Sequence, residues 1–197
     1  MEYTVEKVAE LKPDRLAFYS YAHVPWKEKV QRVFSADDIP KDEDKRALYE
    51  AGHDGFLRYG YREIGMDHFA LPDDELFTAL HEKRLHRNFM GFNTSRTELL
   101  LGLGMSAISD AKYAYAQNKK NNNQYLSDIN HGNFAHLRGY KLSDEDLRIK
   151  RIILDLMCNY ELHWNDQIAG LYDSNFMEDL ETLQQDGLIR WENNKLI

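Results

Sequence analysis

Two polar clusters have the residue types for binding or catalysis, and the first lies around Asp67 and His68. Both residues come at the end of a predicted strand. In α/β architectures, ligands bind outside the carboxyl ends of strands. The pair therefore fits a polar cluster beside a substrate. The other interpretation is that one side chain caps loop backbone, and the spacing alone does not choose between them.

The second cluster is basic and contains Lys83, Arg84, His86 and Arg87 within five residues. Arginine presents a planar fork that binds carboxylates through two hydrogen bonds. In a chain with a net charge of −8, such a patch suits an anionic ligand. Taken alone, the patch is better explained as a solvated helix end, where the helix dipole favours cations.

Two further segments have weaker signals. Glycines in the segment 101–109 would let a ligand approach the backbone closely, although their spacing is not that of a dinucleotide fingerprint. Tight packing at a corner of a barrel is the alternative. Aromatic residues and a histidine in the segment 19–26 would suit a pocket wall, or a buried strand that stops at Pro25.

Composition excludes several classes of protein. The negative net charge disfavours general binding to nucleic acid, which needs clustered cations. The longest apolar runs are too short to cross a membrane, and the first residues lack the layout of a signal peptide, so we expect a cytoplasmic protein. Cys158, the single cysteine, cannot supply the thiolates of an iron–sulfur cluster and is interpreted as a buried core thiol. No metal ligands are predicted.

The pattern in the first part predicts alternating helices and strands. Helices are expected over residues 1–12, 41–59 and 75–84, and strands over residues 15–22, 61–70 and 99–109. The first strand follows a helix as the second half of a βα repeat would, so we expect parallel strand neighbours upstream of Met1. The polar run from Gln117 to Asn123 is expected to be a surface turn or linker.

The last part is expected to be mainly helical. Ser143 has the type of a helix cap, and apolar residues on one face follow it: Leu147, Ile152, Ile153, Leu156 and Met157. A second helix over 176–186 and a strand over 188–191 complete the pattern of a winged-helix-like unit. A returning wing strand is expected beyond Ile197, so both ends of the chain are expected to be cut.

Six motifs, taken in order, resemble the oxygen-independent coproporphyrinogen III oxidases, a radical S-adenosylmethionine family. They occur at 13–16, 21–25, 64–76, 85–92, 100–109 and 115–118, and they include Gly-Met-Asp-His-Phe-Ala at 65–70 and Leu-His-Arg-Asn-Phe at 85–89. The related haem-chaperone branch differs at these last two motifs. The resemblance covers most of the chain and continues more weakly through its C-terminal helices.

The resemblance implies a mixed α/β (α+β) fold. Residues 1–118 would be the last portion of a partial radical-SAM barrel, 119–140 a linker, and 141–197 a truncated winged-helix-like domain. It implies the oxidative decarboxylation of coproporphyrinogen III propionates to the vinyl groups of protoporphyrinogen IX, in haem biosynthesis. The full-length enzyme would use S-adenosyl-L-methionine and a 4Fe-4S cluster. The three-cysteine cluster motif is absent here, so this chain alone is expected to bind neither cofactor, to hold no catalytic residue and to be inactive.

The resemblance also implies roles for individual residues. Ala22 and Ile108 match positions that contact S-adenosylmethionine. Arg84, His86 and Arg87 become a hypothesis for contacts with the substrate's propionates, because the substrate has four carboxylates. Asp67 and His68 remain candidates for a polar cluster beside the substrate.

Two other functions remain open at this stage. One is a non-catalytic tetrapyrrole-binding protein related to the haem chaperones. The other is a winged-helix regulator built on residues 141–197, which the acidic first turn at 144–146 disfavours. Coproporphyrinogen III is the expected partner, with no nucleic acid and no membrane, and an exposed sheet edge would allow a dimer.

Overall fold

The computed structural model describes residues 1–165, 168 and 174–197. They divide into an N-terminal unit, Met1–Glu82, and a C-terminal unit, Lys83–Ile197. No helix among these residues is both long and apolar enough to cross a membrane.

The N-terminal unit packs helices against a small antiparallel sheet. Its helices are α1 (Glu2–Leu11), α2 (Asp42–Arg58) and α3 (Glu75–His81), with short 3-10 turns at Lys29–Val33 and Ala36–Asp38. Its strands are β1 (Arg15–Ala17), β2 (Arg62–Gly65) and β3 (His68–Ala70), in the order β1-β3-β2. The core lies between the helices and the sheet and consists of Val5, Phe56, Tyr61, Phe69 and Leu71.

The predicted helices of this unit are confirmed. Helix α1 ends where Lys12 adopts a left-handed conformation just before Pro13, and α2 lies within one residue of its predicted bounds at each end. Helix α3 is shorter than predicted, because its last residue is His81. These helices are specified by local signals, namely helical apolar spacing and residues that stop a helix.

The strands of this unit differ from the prediction. The expected buried strand over 15–22 has only three residues, of which Leu16 alone is half-buried, and it pairs with β3 in antiparallel rather than parallel fashion. The expected single strand over 61–70 is a β-hairpin. Met66 and Asp67, with φ of 44° and 65°, form its turn, because aspartate tolerates the left-handed region better than most residues.

The C-terminal unit is a set of small antiparallel sheets around a long helix. Its strands are β4 (His86–Asn88), β5 (Gly91–Asn93), β6 (Ile108–Asp110), β7 (Ala114–Asn118), β8 (His136–Lys141), β9 (Leu162–His163), β10 (Trp191–Glu192) and β11 (Lys195–Leu196). They form the hairpin β4-β5 and the sheets β6-β7-β8 and β10-β11-β9. Its described helices are α4 (Asn122–Asn130), α5 (Asp144–Asn159) and α6 (Ser174–Gln185).

The cap predicted for α5 is confirmed. The hydroxyl of Ser143 accepts a hydrogen bond from the backbone N–H of Asp146 at 3.1 Å, and the Asp146 carboxylate accepts one from the backbone N–H of Ser143 at 2.8 Å. The apolar face of α5 is only partly as predicted. Ile152 is buried, whereas Ile153 is 53% exposed.

Two features of the C-terminal unit differ from the pattern expected from the sequence. Residues 119–140 contain α4 and β8, and β8 pairs with β7, so this segment is part of a sheet. The returning wing strand is also present, because β11 pairs with both β10 and β9. The core of this winged-helix-like part consists of Ile152, Leu162, Ile168, Leu180 and Leu196. The domain boundaries proposed from the resemblance stay a prediction.

The glycine-bearing turn before β6 is tightly packed. A Cβ added to Gly102 would lie 2.7 Å from the carbonyl oxygen of Ile108. The Asn118 side chain donates hydrogen bonds to the carbonyls of Gly102 and Gly104 at 3.0 and 2.9 Å. The turn therefore folds against the start of β6, which supports the packing interpretation of these glycines and positions Ile108.

We predict that Gly102→Ala lowers the free energy of unfolding by about 2 kcal/mol or more, because the new methyl group would meet backbone rather than a movable side chain. Urea unfolding followed by circular dichroism measures this change. Gly132→Ala is the control, since its Cβ would meet nothing within 4 Å and only its φ of 75° is unfavourable, at about 1 kcal/mol. Equal stability of Gly102→Ala and the unsubstituted chain would contradict the packing assigned to this turn.

Candidate functional site

The C-terminal unit contains a cleft of about 820 Å³ beside α5, hereafter the α5 cleft. One face of the helix supplies residues spaced three or four apart: Leu147, Lys150, Arg151, Leu154, Asp155, Cys158 and Asn159. The other lining residues precede or belong to β4, follow β5, or lie at the turn between β6 and β7. This spacing is that of a single helical face.

The α5 cleft is cationic although the chain as a whole is acidic. Six lysine or arginine residues line it against three aspartate or glutamate residues, in a chain with a net charge of −8. The Lys150 ammonium lies 2.7 Å from Asp110, and the Lys112 ammonium lies 3.1 Å from Glu98. The cleft thus concentrates positive charge, part of which is compensated within its own wall.

Lys83 is anchored by a residue outside the cleft. Its ammonium lies 2.7 Å from Glu161, which also lies 3.1 Å from Lys195 on β11. The hydrogen bonds from Lys83 and Lys195 lower the pKa of Glu161 to about 2. This carboxylate therefore ties the start of β4 to the sheet of the winged-helix-like part.

His86 is held in its neutral form in this cleft. Burial lowers the pKa of His86 first, and the positive charges of Arg96 and Lys150 lower it further, while Asp110 acts in the opposite direction. The ring can thus donate or accept one hydrogen bond at neutral pH without adding charge. The part of this pKa shift that comes from Arg96 and Lys150, after the larger effect of burial, reflects positive potential in the cleft.

The side chains of the predicted basic cluster do not all point the same way, because successive residues of β4 face opposite sides of the strand. Arg84 and His86 line the α5 cleft, whereas Arg87 does not. Neighbouring residues of a strand point to opposite faces, so the Arg87 guanidinium lies 4.7 Å above the ring of Phe92 instead. One of its terminal nitrogens is buried without a hydrogen-bond partner among the described residues. The structure therefore brings together two of the three predicted propionate contacts.

Asp67 and His68 lie in the N-terminal unit, in the β2–β3 hairpin. The Asp67 carbonyl accepts a hydrogen bond from the Phe18 backbone N–H at 2.7 Å, and His68 Nδ1 lies 2.8 Å from the Met66 carbonyl oxygen. Burial, followed by a hydrogen bond with Asp67, raises the pKa of Tyr49 to about 12. These contacts favour a role in holding the hairpin, and the premise that the pair ends a strand is wrong, because Asp67 lies in the turn and His68 begins β3.

Ala22 and Ile108 lie in different units. Ala22 is in the loop after β1, where its carbonyl accepts a hydrogen bond from the Gln31 side chain at 3.2 Å. Ile108 is the half-buried first residue of β6, against Gly102. Their contact with S-adenosylmethionine stays a prediction.

Cys158 is buried, as predicted, and burial raises the pKa of its thiol. Within residues 1–165, 168 and 174–197, no group of three His, Cys, Asp or Glu side chains is arranged to hold a metal ion. As the single cysteine of the sequence, Cys158 does not fit the ligand set of an iron–sulfur cluster.

Sequence reasoning missed Arg96 and Arg151. They are 55 positions apart in the chain and meet at one cleft only because α5 packs beside the segments around β4 and β5. The one local signal is the helical spacing of Lys150, Arg151 and Asp155, which is typical of an ordinary solvated helix face. Only the tertiary fold distinguishes the two cases.

The backbone is similar to part of a radical SAM enzyme. A solved structure described as that of a coproporphyrinogen III oxidase from Escherichia coli, a radical SAM enzyme, matches with a TM-score of 0.86 and 38% identity. The match covers 98% of this chain and 46% of that one. The predicted fold class, a mixture of helices and strands from such an enzyme, is confirmed; the strands of the described residues close no barrel.

Sequence relatives of the chain share one name, although the chain spans less than half of their length. Oxygen-independent coproporphyrinogen III oxidases from Pseudomonas aeruginosa and Escherichia coli are 40% and 39% identical over 193 residues, and one from Paracoccus denitrificans is 42% identical over 159 residues. The first two matches cover 95% of this chain and 42% of the relative, and the third covers 81% and 35%. No family model matches. The chain is therefore a homologue of part of the oxygen-independent coproporphyrinogen III oxidases, as the sequence motifs predicted.

We predict that His86 titrates below the usual histidine value of about 6.5, and that Arg96→Gln raises this pKa while Asp110→Asn lowers it further. NMR titration of the His86 ring measures all three. Arg148→Gln, on α5 but outside the cleft lining, is the matched control and should leave the titration unchanged.

The lowered pKa of His86 also makes its contribution to stability depend on pH. Because the native pKa of His86 lies below the unfolded value, stability is greatest above about pH 6.5 and declines as the pH falls through the native pKa. The ring is only half-buried, so the decline attributable to it is small. A rise of the His86 pKa on Asp110→Asn substitution would contradict the electrostatics assigned to the cleft.

Proposed function

We propose that this chain is part of an oxygen-independent coproporphyrinogen III oxidase, which converts propionate side chains of coproporphyrinogen III to vinyl groups with loss of carbon dioxide. The observation that carries the proposal is a solved enzyme of this activity that matches 98% of the chain at a TM-score of 0.86. The sequence relatives are named as oxidases, so a non-catalytic tetrapyrrole-binding function is not favoured. The proposal includes the cytoplasmic location expected from the sequence.

In this reaction, the chain binds and orients the substrate. The α5 cleft offers the guanidinium of Arg84 and the neutral ring of His86 to a carboxylate of the substrate, which has four of them. Arg87, stacked on Phe92, acts as a positioning residue behind β4 rather than as a propionate contact. Because Asp67 and His68 hold the hairpin of the other unit, we give them the same positioning role.

The proposed contacts with S-adenosylmethionine are made by backbone and apolar groups. Ile108 is fixed by its approach to Gly102, and the loop at Ala22 is fixed by Gln31, which also accepts a hydrogen bond from Val24 at 2.5 Å. Neither residue has a side chain for acid–base chemistry. Radical generation at a 4Fe-4S cluster is the chemistry that the cofactors supply, and the single cysteine of this chain does not hold that cluster.

We predict that a chimera is active in which this chain replaces the matched 42% of the Pseudomonas aeruginosa relative. Under anaerobic conditions, with S-adenosylmethionine and a reductant, it should convert coproporphyrinogen III to protoporphyrinogen IX, quantified as the oxidised porphyrins by chromatography. Arg84→Gln in the chimera should raise KM roughly three- to tenfold, the scale of one charge-assisted hydrogen bond at a partly exposed site.

Two controls define the outcome. The unaltered Pseudomonas aeruginosa enzyme must turn over under the same conditions, and the chimera without S-adenosylmethionine must not. A chimera that folds, binds its cluster by absorbance and still makes no protoporphyrinogen IX would refute the proposed function.

A further inference from the structure

We propose that Arg96 and Arg151 form a carboxylate-binding pair in the α5 cleft, which holds a second carboxylate of the tetrapyrrole substrate beyond the one at Arg84 and His86. The identity of the ligand rests on the proposed function. The positions of the two arginines do not, since both line the same cleft from different elements: Arg96 from the loop after β5 and Arg151 from α5.

The two guanidinium groups are available to a ligand. Across residues 1–165, 168 and 174–197, no carboxylate lies within 4.0 Å of either group. The lysines of the same cleft behave differently, because Lys112 and Lys150 each face a carboxylate in its wall. The lysines of the cleft are therefore paired with carboxylates of its own wall, whereas the two planar guanidinium groups remain available to a planar anion.

The charge balance favours an anion over a cation. Asp155 is the only carboxylate of the lining without an ion-pair partner among the described residues, so two unpaired arginines face one unpaired aspartate. The depressed pKa of His86 supports the same sign of potential, since Arg96 and Lys150 disfavour a further positive charge there. A ligand carboxylate would relieve this repulsion.

The cleft also suits the apolar part of a propionate-bearing ring. Leu85 is a buried residue of its lining, and Leu147 and Leu154 contribute half-buried side chains from α5. Its volume lies within the range of small-molecule sites. Apolar surface flanked by convergent arginines is the arrangement expected for a pyrrole carrying carboxylate arms, rather than for inorganic phosphate, which has no apolar part.

The binding test uses the full 197-residue chain and two probes. Coproporphyrin III, the oxidised tetracarboxylate, should bind by fluorescence titration, and its neutral tetramethyl ester should bind much more weakly. Arg96→Gln and Arg151→Gln should each raise the Kd for the tetracarboxylate roughly three- to tenfold, and the double substitution should bring it close to that of the ester. Arg148→Gln removes the same charge from the same helix outside the cleft lining and should leave the Kd unchanged.

Several outcomes would overturn the inference. They are failure of the unsubstituted chain to bind the tetracarboxylate, equal Kd values for the double variant and Arg148→Gln, and equal affinity for acid and ester. Inorganic phosphate that competes at equimolar concentration with coproporphyrin III would assign the site to a general anion and overturn the tetrapyrrole assignment. Unchanged circular dichroism of each variant establishes that a lost affinity reflects the cleft and not unfolding.

The chimera separates this inference from the proposed function. If the chimera is active and Arg96→Gln with Arg151→Gln leaves its KM unchanged, the carboxylate pair is refuted and the proposed function stands. If the chimera folds and binds its cluster but is inactive, while the isolated chain loses coproporphyrin III affinity on the double substitution, the site stands and the oxidase function is refuted. A raised KM with little change in kcat supports both.

Discussion

The ion pair between Lys150 and Asp110 is the interaction on which the arrangement of the C-terminal unit depends. It joins the middle of α5 to the last residue of β6 at 2.7 Å, and the Lys150 ammonium also lies 4.8 Å from the centre of the Tyr115 ring. Burial lowers the pKa of Lys150, but hydrogen bonds with Asp110 and Tyr115 outweigh that effect and leave the pKa above its usual value. Both partners are largely shielded, so loss of either leaves a charge that water solvates poorly. The pair therefore fixes the distance between helix and sheet that gives the cleft its width.

The Asp110 carboxylate that pairs with Lys150 has a second effect on the cleft. Asp110 uses both of its carboxylate oxygens on Lys150, at 3.0 and 2.7 Å. The same aspartate opposes the lowering of the His86 pKa by Arg96 and Lys150. One carboxylate thus sets the geometry of the wall and limits its positive potential, and the arginines of the rim supply the part of the charge that remains for a ligand.

Local signals in the sequence predicted most of the helices, though not α4, and they predicted the strands poorly. Ser143 and Asp146 cap α5 through contacts between residues three apart, and α1 ends at Lys12 next to Pro13. The start of α5 and the end of α1 can therefore be predicted from a few neighbouring residues. The hairpin at Met66 and Asp67 is also local, but its turn lacks the Asn-Gly or Asp-Gly pair that marks a two-residue hairpin loop in a sequence. Sheet pairing depends on partners far apart in the chain, which explains why parallel neighbours were expected where β1 pairs antiparallel with β3.

The sequence predicted only those residues of the candidate site that lie close together in the chain. The basic cluster at residues 83–87 indicated an anion site, yet the alternation of β4 sends Arg87 to the face opposite His86. That separation follows from strand geometry, once the cluster is known to lie on a strand rather than at a helix end. Arg96 and Arg151 belong to different elements, and the helical spacing around Arg151 does not distinguish a cleft wall from a solvated face, so their convergence is a product of tertiary packing.

The α5 cleft has the chemistry of orientation rather than of bond breaking. Its arginines are fixed cations, its histidine is neutral, and its one cysteine has a raised pKa, so none of these groups is a strong nucleophile or acid at neutral pH. Fixed positive groups are nevertheless what a substrate with four carboxylates needs, because binding the arms that do not react places the reacting arm against its oxidant. A reaction that proceeds through a radical gains specificity from such placement, since the radical attacks whichever C–H bond is nearest. Carboxylate recognition in this part of the chain and radical generation by cofactors held elsewhere are therefore complementary requirements of the proposed reaction.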